Sequence, residues 1–471
     1  MIRTKIVATV GPASSDAAVL RRLAEARADV FRVNFSHGGD QQRQRLLEGI
    51  RSVEAALDRP LAVMADLCGP KIRVGMIRGG SFLLGDGQEI VVQRDPIEGT
   101  PQRISTTLAE LVDQVRAGET ILLDDGMIRL EVTETRPPRE LVCRVVRGGV
   151  LSSGKGVNLP RTDLNLGALT EKDRNDIEWI ARRDFDYVAL SFVRSARDVQ
   201  GLRELLETAQ CRARIIAKIE KPQALERIRE IVAAADAIMV ARGDLGAEMD
   251  LAAVPVAQKR IAKLCQQAGK PCIIATQMLE SMTNSPVPTR AEVSDVANAV
   301  LDQADAVMLS GETAVGKFPV ESVRMMNEIV SRIQAYHDET AAPARVEYAS
   351  APTEASIASA VRAIMNEEEI AAVAVYTATG ATALLMAKNR LRCPILALSH
   401  ERATMRRTCL YYGVVAFQAE MPEHTREVLD LAARFAVQAG LARSGQKIIV
   451  ISGRPIGVPG HTNTLVVHTI P

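Results

Sequence analysis

Charged and hydroxyl side chains end several short apolar runs within residues 4–313. The candidate residues that this pattern provides are Arg32, Asn34, Ser36, Asp66, Lys218, Glu220, Asp244, Thr276, Ser310 and Glu312. Two of them, Glu220 and Asp244, are the last residues of consecutive runs, and carboxylates without a nearby His or Cys suit Mg²⁺ or Mn²⁺. The alternative is a pair of carboxylates that forms salt bridges only.

Lys218 lies two residues before Glu220, so in a β-strand both side chains point to the same side. A cation there can stabilise charge that develops on a phosphoryl group or an enolate oxygen. By the same spacing, Arg32, Asn34 and Ser36 share one face, and the arginine fork suits phosphate or carboxylate. The alternatives are an ion pair or a polar layer that serves structure alone.

The segment ARGDLG (241–246) reads as a turn that places backbone N–H groups beside Asp244, and its glycines allow a ligand carboxylate to approach closely. Thr276 and Ser310 end the next two runs, where each hydroxyl could contact a ligand or simply satisfy the backbone. The six histidines form no ligand cluster, so no zinc site is expected.

Parallel strands are needed to bring these residues together. The apolar runs are typical of strands buried on both faces, and helical spacing between most of them favours a (β/α)₈ barrel, whose chemistry lies at the C-terminal strand ends. The runs are KIVATVG (5–11), VFRVNFS (30–36), LAVMADL (61–67), YVALSF (187–192), RIIAKIE (214–220), AIMVARGD (237–244), PCIIATQ (271–277) and AVMLSGE (306–312).

The interval between the third and fourth runs is too long for one helix and is rich in short strands and Gly/Asp turns. It predicts a small β-barrel domain inserted over the barrel mouth as a lid. A second α/β pattern follows a Pro- and Ala-bearing link. We therefore expect an α/β fold with a barrel domain in residues 1–66 and 165–342, a lid in 67–164, and a C-terminal α/β domain in 353–471.

Composition argues against several classes of protein. A net charge of +1 and an aromatic content of 3% in 471 residues disfavour binding to nucleic acid or to an anionic membrane surface. Seven scattered cysteines without a C-x-x-C pair indicate reduced thiols. Neither a signal-peptide segment nor an apolar stretch of roughly 18 residues is recognisable. We expect a cytoplasmic location.

Taken together, these segments resemble the pyruvate kinase family over essentially the whole chain. The stretches that carry the resemblance include TKIVATVGPAS, FRVNFSHG, ADLCGPKIRVG, GKGVNLP, AKIEKPQAL, DAIMVARGDLGAE, IIATQMLESM and PTRAEVSDVANAVLDQADAVMLSGETAVGKFPVESV. The resemblance implies transfer of a phosphoryl group from phosphoenolpyruvate to ADP, which yields ATP and pyruvate. It also implies Mg²⁺ or Mn²⁺ as cofactor, a homotetramer and a regulatory C-terminal domain.

The resemblance further implies roles for individual residues. The catalytic set comprises Lys218, Arg32, Thr276 and Ser310. The substrate-binding set comprises Arg32, Lys218, Gly243, Asp244 and Thr276, and the metal ligands are Glu220 and Asp244. Nucleotide phosphates are expected at Asn34, His37, Arg73 and Lys155. The K⁺ site of many members corresponds to Asn34, Ser36, Asp66 and the Leu67 carbonyl.

Lys71 departs from the pattern of K⁺-dependent members, which carry Glu at this place and Thr where this chain has Leu67. A lysine ammonium can supply the charge that a monovalent cation supplies elsewhere. We therefore expect a bacterial subtype that does not require K⁺. Cys68 lies where relatives of this subtype often carry Gln, and it has no assigned role.

The segment TATGATA (377–383) leads from a predicted strand into a helix, where a glycine and hydroxyls can form a phosphate cradle. By the resemblance, the candidates for an activator site are Thr377, Thr379, Gly380, Thr382 and Arg454. A sugar monophosphate or AMP is favoured over fructose 1,6-bisphosphate, because few basic residues are present for a second phosphate. Plain N-capping by Thr379 is the alternative.

Two other functions are compatible with the residues. A Mg²⁺-dependent aldolase or lyase acting on pyruvate enolate could share the pair of Glu220 and Asp244, but it would need neither Arg73 nor Lys155. A sugar-phosphate sensor without catalysis could keep the C-terminal cradle, although the intact set around Lys218 argues against it.

Overall fold

The computed structural model describes residues 3–162, 167–340, 352–458 and 460–471, and it begins with three parallel strands joined by helices. These elements are β1 (Lys5–Val10), α1 (Ala17–Glu25), β2 (Val30–Asn34), α2 (Asp40–Ala56) and β3 (Ala62–Asp66). Asp16 fixes the start of α1, because its carboxylate accepts hydrogen bonds from the N–H groups of Ala18 and Val19.

The insert after β3 consists of strands and one short helix. Its elements are β4 (Ser81–Leu84), β5 (Glu89–Gln93), β6 (Arg103–Ser105), α3 (Leu111–Gln114), β7 (Thr120–Leu123), β8 (Ile128–Arg136), β9 (Glu140–Arg147), β10 (Gly149–Ser152) and β11 (Val157–Asn158). They form a six-stranded sheet, β11-β7-β8-β9-β5-β6, and a two-stranded sheet of β10 and β4 that share one apolar core. These elements lie within the predicted lid range 67–164, whose last residues fall outside the described part of the chain.

Five further strands complete the barrel. The elements are α4 (Glu171–Ala181), β12 (Tyr187–Leu190), α5 (Ala196–Thr208), β13 (Arg214–Ile219), α6 (Pro222–Glu226), α7 (Ile228–Ala234), β14 (Ala237–Ala241), α8 (Arg242–Glu248), α9 (Val254–Gln267), β15 (Cys272–Ala275), α10 (Arg290–Leu301), β16 (Ala306–Leu309), α11 (Gly311–Ala314) and α12 (Pro319–Thr340), with 3₁₀ turns at Leu251–Ala253 and Glu280–Thr283. The parallel strands close in the order β1-β16-β15-β14-β13-β12-β3-β2. The predicted (β/α)₈ barrel is confirmed, and each strand lies within a predicted run.

An aspartate precedes every second barrel strand and fixes the start of the strand before it. Each carboxylate accepts a hydrogen bond from a backbone N–H at that start, in the pairs Asp29–Ile6, Asp186–Val63, Asp236–Ile215 and Asp305–Cys272. Hydrogen bonds to ionised acceptors are stronger than neutral ones. These contacts therefore help to set the strand register and, with it, which side chains point into the barrel.

The C-terminal domain is a five-stranded sheet with helices. Its elements are α13 (Pro352–Glu367), β17 (Ile370–Tyr376), α14 (Ala381–Lys388), β18 (Ile395–Ser399), α15 (Arg402–Thr408), β19 (Val414–Gln418), α16 (Thr425–Gln438), β20 (Lys447–Gly453) and β21 (Thr462–Thr469). The predicted α/β domain is confirmed. The antiparallel edge strand β21 was not predicted, because its half-exposed residues give only a weak apolar pattern.

The C-terminal domain closes the bottom of the barrel, opposite the mouth. Side chains from the barrel interior and from this domain form one apolar cluster, which includes Tyr187 and Tyr411. The Tyr187 hydroxyl donates to the carbonyl oxygen of Arg407 at 2.6 Å. The link between the two domains was predicted near residues 341–352; all of it except residue 352, where α13 begins, lies outside the described residues. No helix in the described part of the chain is long and apolar enough to cross a membrane.

Candidate active site

The inward-facing side chains of the barrel change from apolar to polar towards its mouth. The interior is lined by Val7, Val30, Met64, Ala189 and Ile216. Because side chains alternate along a strand, the residues two positions further on continue the same inward rows. These residues are Thr9, Arg32, Asp66, Ser191 and Lys218.

Lys218 lies at the centre of this polar layer. Its Nζ is 2.7 Å from Glu220 Oε1 and 3.2 Å from Asp66 Oδ1, and it donates to Ser191 Oγ at 2.8 Å. Arg32 Nε donates to Asp66 Oδ2 at 2.6 Å. Lys218 and Glu220 therefore point to the same side, as their spacing predicts, and their ion pair is part of a larger network.

Burial and charge together set the protonation of this network. Burial opposes the charged form of Lys218, but the carboxylates of Asp66 and Glu220 outweigh it and raise the pKa of the ammonium group. Burial also opposes ionisation of Asp66, yet Lys218 and Arg32 outweigh it and lower that pKa. For Glu220, burial and the charge of Asp244 outweigh the attraction of Lys218 and raise the pKa. Glu220 is thus a carboxylate that would gain from further positive charge.

Glu220 and Asp244 fit a hard divalent cation. Glu220 directly follows β13, and Asp244 lies in α8 directly after the neighbouring strand β14, at the cleft between barrel and insert. Burial is the main cause of the raised pKa of Glu220, and the charge of the nearby Asp244 adds to it, so a cation between the two carboxylates would be favourable. Mg²⁺ commonly takes one or two carboxylates and completes its shell with waters and substrate oxygens. Among the described residues, no group of three or more His, Cys, Asp or Glu side chains could hold a metal ion.

The segment after β14 is the short helix α8, and not the turn that its glycines suggested. Gly243 N–H donates to Thr276 Oγ1 at 2.7 Å, and a Cβ at Gly243 would lie 3.4 Å from that oxygen. Thr276 has a φ of 68°, a left-handed conformation that is unfavourable for a β-branched residue and common at functional sites. Arg242 holds this loop, because its guanidinium donates to the carbonyl oxygens of Thr276 and Gln277 at 2.8 and 3.2 Å.

Ser310 and Glu312 connect the ends of β15 and β16. Glu312 is fully buried, and its carboxylate accepts from Ser310 N–H at 2.7 Å and from Leu279 N–H at 3.0 Å. The hydroxyl of Ser310 is buried, and no described residue forms a hydrogen bond with it. A buried polar group in this state retains the capacity to bind a ligand or a water molecule.

Two models of known protein families match this chain, one over its N-terminal part and one over its C-terminal part. The family model for the pyruvate kinase barrel domain matches residues 1–323, and that for the pyruvate kinase alpha/beta domain matches residues 355–468. The chain belongs to the pyruvate kinase family. It is therefore a phosphotransferase of the glycolytic type, and the family normally uses Mg²⁺.

Individual relatives agree with the family assignment. A pyruvate kinase of Geobacillus stearothermophilus is 43% identical over 99% of this chain and 80% of its own length. A pyruvate kinase of Methylorubrum extorquens is 43% identical over 98% of this chain and 96% of its own length. The crystal structure of a pyruvate kinase from Cryptosporidium parvum covers 100% of this chain and 96% of its own, with a TM-score of 0.90 and 33% identity.

The candidate nucleotide residues of the family lie on two parts of the molecule. Arg73 pairs with Gly156 in a β-bridge, which brings it beside Lys155 on the insert. Asn34 ends β2 on the barrel, and the exposed His37 follows in the next turn. The structure thus brings Arg73 and Lys155 together on the insert, and it places Asn34 and His37 on the barrel.

One candidate K⁺ residue, Ser36, does not lie on strand β2 as its spacing predicted. Asn34 Oδ1 accepts a hydrogen bond from Ser36 N–H at 3.0 Å, so β2 ends at Asn34 and Ser36 lies in a turn instead of on the strand face. Lys71 Nζ is 3.9 Å from Asp244 Oδ1. The extra lysine of this chain therefore lies beside a candidate metal ligand.

The candidate effector loop borders a cavity of about 320 Å³ at the start of α14. Its lining includes Thr377, Thr379 and Thr382. Gly380, and not Thr379, is the N-cap of α14, and its φ of 87° requires the freedom of glycine. Arg454 is not among the described lining residues, and its backbone N–H donates to Asn463 Oδ1 at 2.9 Å.

Three contributors to the site were not identified from the sequence. Ser191 links Lys218 to the Leu67 carbonyl oxygen, to which its hydroxyl donates at 2.8 Å. Phe192 contributes its backbone N–H to Glu220 Oε2 at 2.8 Å, and Thr9 Oγ1 accepts from the Arg32 guanidinium at 3.1 Å. Period two along YVALSF and KIVATVG would have found Ser191 and Thr9, whereas a backbone donor leaves no mark on residue type.

Proposed function

We propose that the chain transfers the phosphoryl group of phosphoenolpyruvate to ADP, giving ATP and pyruvate, at the mouth of the barrel. The observation that carries the proposal is the Lys218 ammonium, which is buried between Asp66 and Glu220. Phosphoryl transfer depends chiefly on positioning and on stabilisation of charge. Lys218 is a fixed cation beside Glu220, which together with Asp244 suits a divalent cation, and this arrangement offers both.

The proposed roles follow from where each group lies. Arg32 and Lys218 face the phosphoryl group, and Lys218 also stabilises the enolate oxygen left after transfer. The substrate carboxylate binds to the amides of Gly243 and Asp244 and to the hydroxyl of Thr276. The support is that Gly243 N–H and Thr276 Oγ1 lie at the same place, where they form a hydrogen bond of 2.7 Å.

The remaining residues are assigned to metal binding, nucleotide binding and delivery of the proton. Glu220 and Asp244 hold Mg²⁺ or Mn²⁺, and such an ion, when bound, neutralises charge on phosphoryl and enolate oxygens. The phosphates of ADP contact residues of both the insert and the barrel, namely Arg73, Lys155, Asn34 and His37. A proton reaches the enolate carbon through water held near Thr276 and the buried hydroxyl of Ser310.

A coupled assay tests this function. Phosphoenolpyruvate, ADP and Mg²⁺ should give pyruvate and ATP in equal amounts, and Lys218→Met should abolish the reaction while Lys172→Met, a half-exposed lysine on the outer helix α4, should not. Consumption of pyruvate enolate without ADP would instead indicate an aldolase or lyase. Binding of sugar phosphates without turnover would indicate a sensor.

We also propose that Lys71 replaces K⁺, so that activity does not require this ion. The support is the Lys71 ammonium group, which lies 3.9 Å from Asp244 Oδ1 and so brings a positive charge beside this candidate metal ligand. Initial rates in a tetramethylammonium buffer with and without KCl test this. The wild-type rate should not change, and Lys71→Glu should become activated by K⁺. Strong activation of the wild-type chain by K⁺ would contradict the proposal.

We propose further that a phosphorylated metabolite binds in the cavity at α14 and activates the enzyme. Hydroxyls of Thr377, Thr379 and Thr382 support a phosphate there, and the lining lysine, Lys388, is already paired with Asp305 at 2.8 Å. A monophosphate is therefore favoured over a bisphosphate. Ribose 5-phosphate, glucose 6-phosphate or AMP should shift the phosphoenolpyruvate saturation curve more than fructose 1,6-bisphosphate does. Thr382→Val should remove the shift, while the surface variant Thr208→Val should keep it.

The homotetramer of the family is proposed for this chain as well. Leu251, Val256 and Val287 on the barrel are each more than half exposed, and apolar side chains that form a contiguous exposed patch mark interaction sites. Sedimentation velocity should give a tetramer for the wild-type chain and smaller species for Val256→Glu. A monomer at assay concentrations would contradict this assembly.

A further inference from the structure

A polar contact joins the insert to the barrel beside the candidate metal ligands. Asn158 Nδ2, on strand β11 of the insert, donates to Glu248 Oε1 at 2.8 Å. Lys221 Nζ donates to the same oxygen at 2.5 Å. We call Asn158, Lys221 and Glu248 the latch, because one carboxylate oxygen holds a group from each side of the cleft.

The latch carboxylate is buried. Glu248 is only 3% exposed, and no described residue forms a hydrogen bond with its second oxygen, Oε2. Removing a hydrogen-bond partner from a buried carboxylate is strongly unfavourable in free energy. Loss of either donor to Oε1 would therefore destabilise the structure. Moving the insert away from the barrel breaks the Asn158 bond and therefore carries a definite free-energy cost.

The latch also reaches both candidate metal ligands through short paths. Lys221 directly follows Glu220, and its Nζ lies 5.8 Å from the centroid of the Phe192 ring, whose backbone N–H donates to Glu220 Oε2. Glu248 lies on the same short helix as Asp244, one turn further along. A shift of the latch would therefore disturb the supports of Glu220 and Asp244 together.

The insert is close to the barrel at this point. The cavity between them, lined by Lys71, Asn158, Phe192, Lys221 and Asp244 among others, has a volume of about 50 Å³. Residues of the insert and of the barrel therefore border the same small space. The latch thus lies on a flank of the cleft where the two parts of the chain are already closed against each other.

We propose that Glu248 is a positioning residue that holds the insert at the barrel mouth. Through Lys221 it keeps Glu220 oriented for the cation, and through helix α8 it keeps Asp244 oriented. The proposal rests on the proposed phosphoryl transfer for its kinetic consequences. Its structural part, the seating of the insert, does not depend on the reaction. Glu248 touches neither substrate nor metal in this account, so it acts only through the groups that it holds.

Three variants separate the two sides of the latch. Asn158→Ala removes the donor on the insert, and Asn158→Asp keeps the shape but places a second carboxylate against Glu248. Glu248→Gln keeps an oxygen for Asn158 but loses the ion pair with Lys221. Glu140→Gln is the matched control, since it makes the same chemical change in an ion pair with Arg103 inside the insert.

Hydrogen–deuterium exchange and steady-state kinetics test the proposal on the full-length protein. Peptides that cover residues 68–75 and 155–162 should exchange faster in Asn158→Ala, faster still in Asn158→Asp, and at the wild-type rate in Glu140→Gln. kcat/KM for ADP should fall about tenfold in Asn158→Ala, the size expected for one hydrogen bond to a charged group, and the half-saturating Mg²⁺ concentration should rise. kcat should change less than KM, because the chemical groups at Lys218 remain.

The double variant decides whether the latch acts as a unit. Asn158→Ala combined with Glu248→Gln should cost clearly less than the product of the two single effects, because each single change already breaks the same contact. Unchanged exchange in both Asn158 variants, or fully independent effects, would overturn the proposal. A chain without any phosphoenolpyruvate-dependent activity would refute the proposed function but would leave the exchange result to decide on the latch.

Discussion

Replacing Lys218 by Met should change stability in a manner that depends on pH. The ammonium group lies 2.7 Å from Glu220 Oε1 and 3.2 Å from Asp66 Oδ1 in a buried layer. Methionine fills most of the same volume without charge or hydrogen-bond donors. The fold should therefore persist, while two buried carboxylates lose a shared partner.

The size of the stability change depends on how Asp66 and Glu220 compensate for the loss of the Lys218 ammonium. Asp66 keeps Arg32 at 2.6 Å, so the unpaired charge falls mainly on Glu220. Glu220 can avoid it by taking a proton, and for a carboxyl group of ordinary pKa 4.5 this costs about 3.4 kcal/mol at pH 7, at about 1.4 kcal/mol per pH unit. That value is the ceiling for the Glu220 contribution.

The sign of the pH dependence is fixed by proton counting. In the variant, the folded state binds one proton more than the unfolded state above pH 4.5, so the free energy of unfolding falls as the pH rises. The slope approaches about 1.4 kcal/mol per pH unit. In the wild-type chain the slope is shallower, because Lys218 favours the ionised form of Glu220.

Urea denaturation in EDTA, followed by circular dichroism between about pH 6 and pH 8, measures this difference. Lys172→Met serves as the control, since its ion pair with Asp176 lies outside the mouth. The same Lys218 variant should lose at least about 10²–10³ in kcat, the effect of removing a preorganised charge. Parallel stability profiles for variant and wild type would refute the coupling of Lys218 to Glu220, and near-normal kcat would remove Lys218 from the mechanism.

Three further changes test other parts of the structure. Gly243→Ala should raise KM for phosphoenolpyruvate with a smaller change in kcat, because the new Cβ, in ordinary contact with Thr276 Oγ1 at 3.4 Å, takes up space proposed for the substrate carboxylate; an unchanged KM would argue against a carboxylate site there. Glu220→Gln should raise the half-saturating Mg²⁺ concentration at least about tenfold, as loss of a charged ligand requires, whereas equal Mg²⁺ titrations would exclude it as a ligand. Lys388→Met should lower the free energy of unfolding by about 3–5 kcal/mol, because it leaves Asp305 buried with less compensation; a denaturation midpoint equal to wild type would contradict this.

The barrel could be predicted from the sequence because each strand is buried on both faces and so is almost entirely apolar. Its polar mouth could be predicted for the same reason, since period two along a strand carries an inward row from Ile216 to Lys218 and from Met64 to Asp66. The family resemblance added roles that residue patterns alone could not assign.

The sequence did not predict the local structure where a hydrogen bond ends a strand early, or where the backbone conformation depends on a contact with another segment. Ser36 leaves the strand face because Asn34 Oδ1 captures its N–H group and turns the chain. Residues Arg242–Glu248 form a helix although their glycines suggest a turn, and the positive φ of Thr276 depends on Arg242 from the neighbouring strand end. These features arise from contacts between segments that are distant in sequence, so no local pattern contains them.

Charge balance at the mouth connects the two proposed ligands. The cations Arg32, Lys71 and Lys218 lie against the carboxylates Asp66, Asp244 and Glu220. A phosphoryl group that engages Arg32 and Lys218 draws positive charge away from Asp66 and Glu220. Because Glu220 is buried beside Asp244, a cation at Glu220 should then become more favourable. Mg²⁺ and phosphoenolpyruvate should therefore strengthen each other's binding by the same factor, since such coupling is reciprocal.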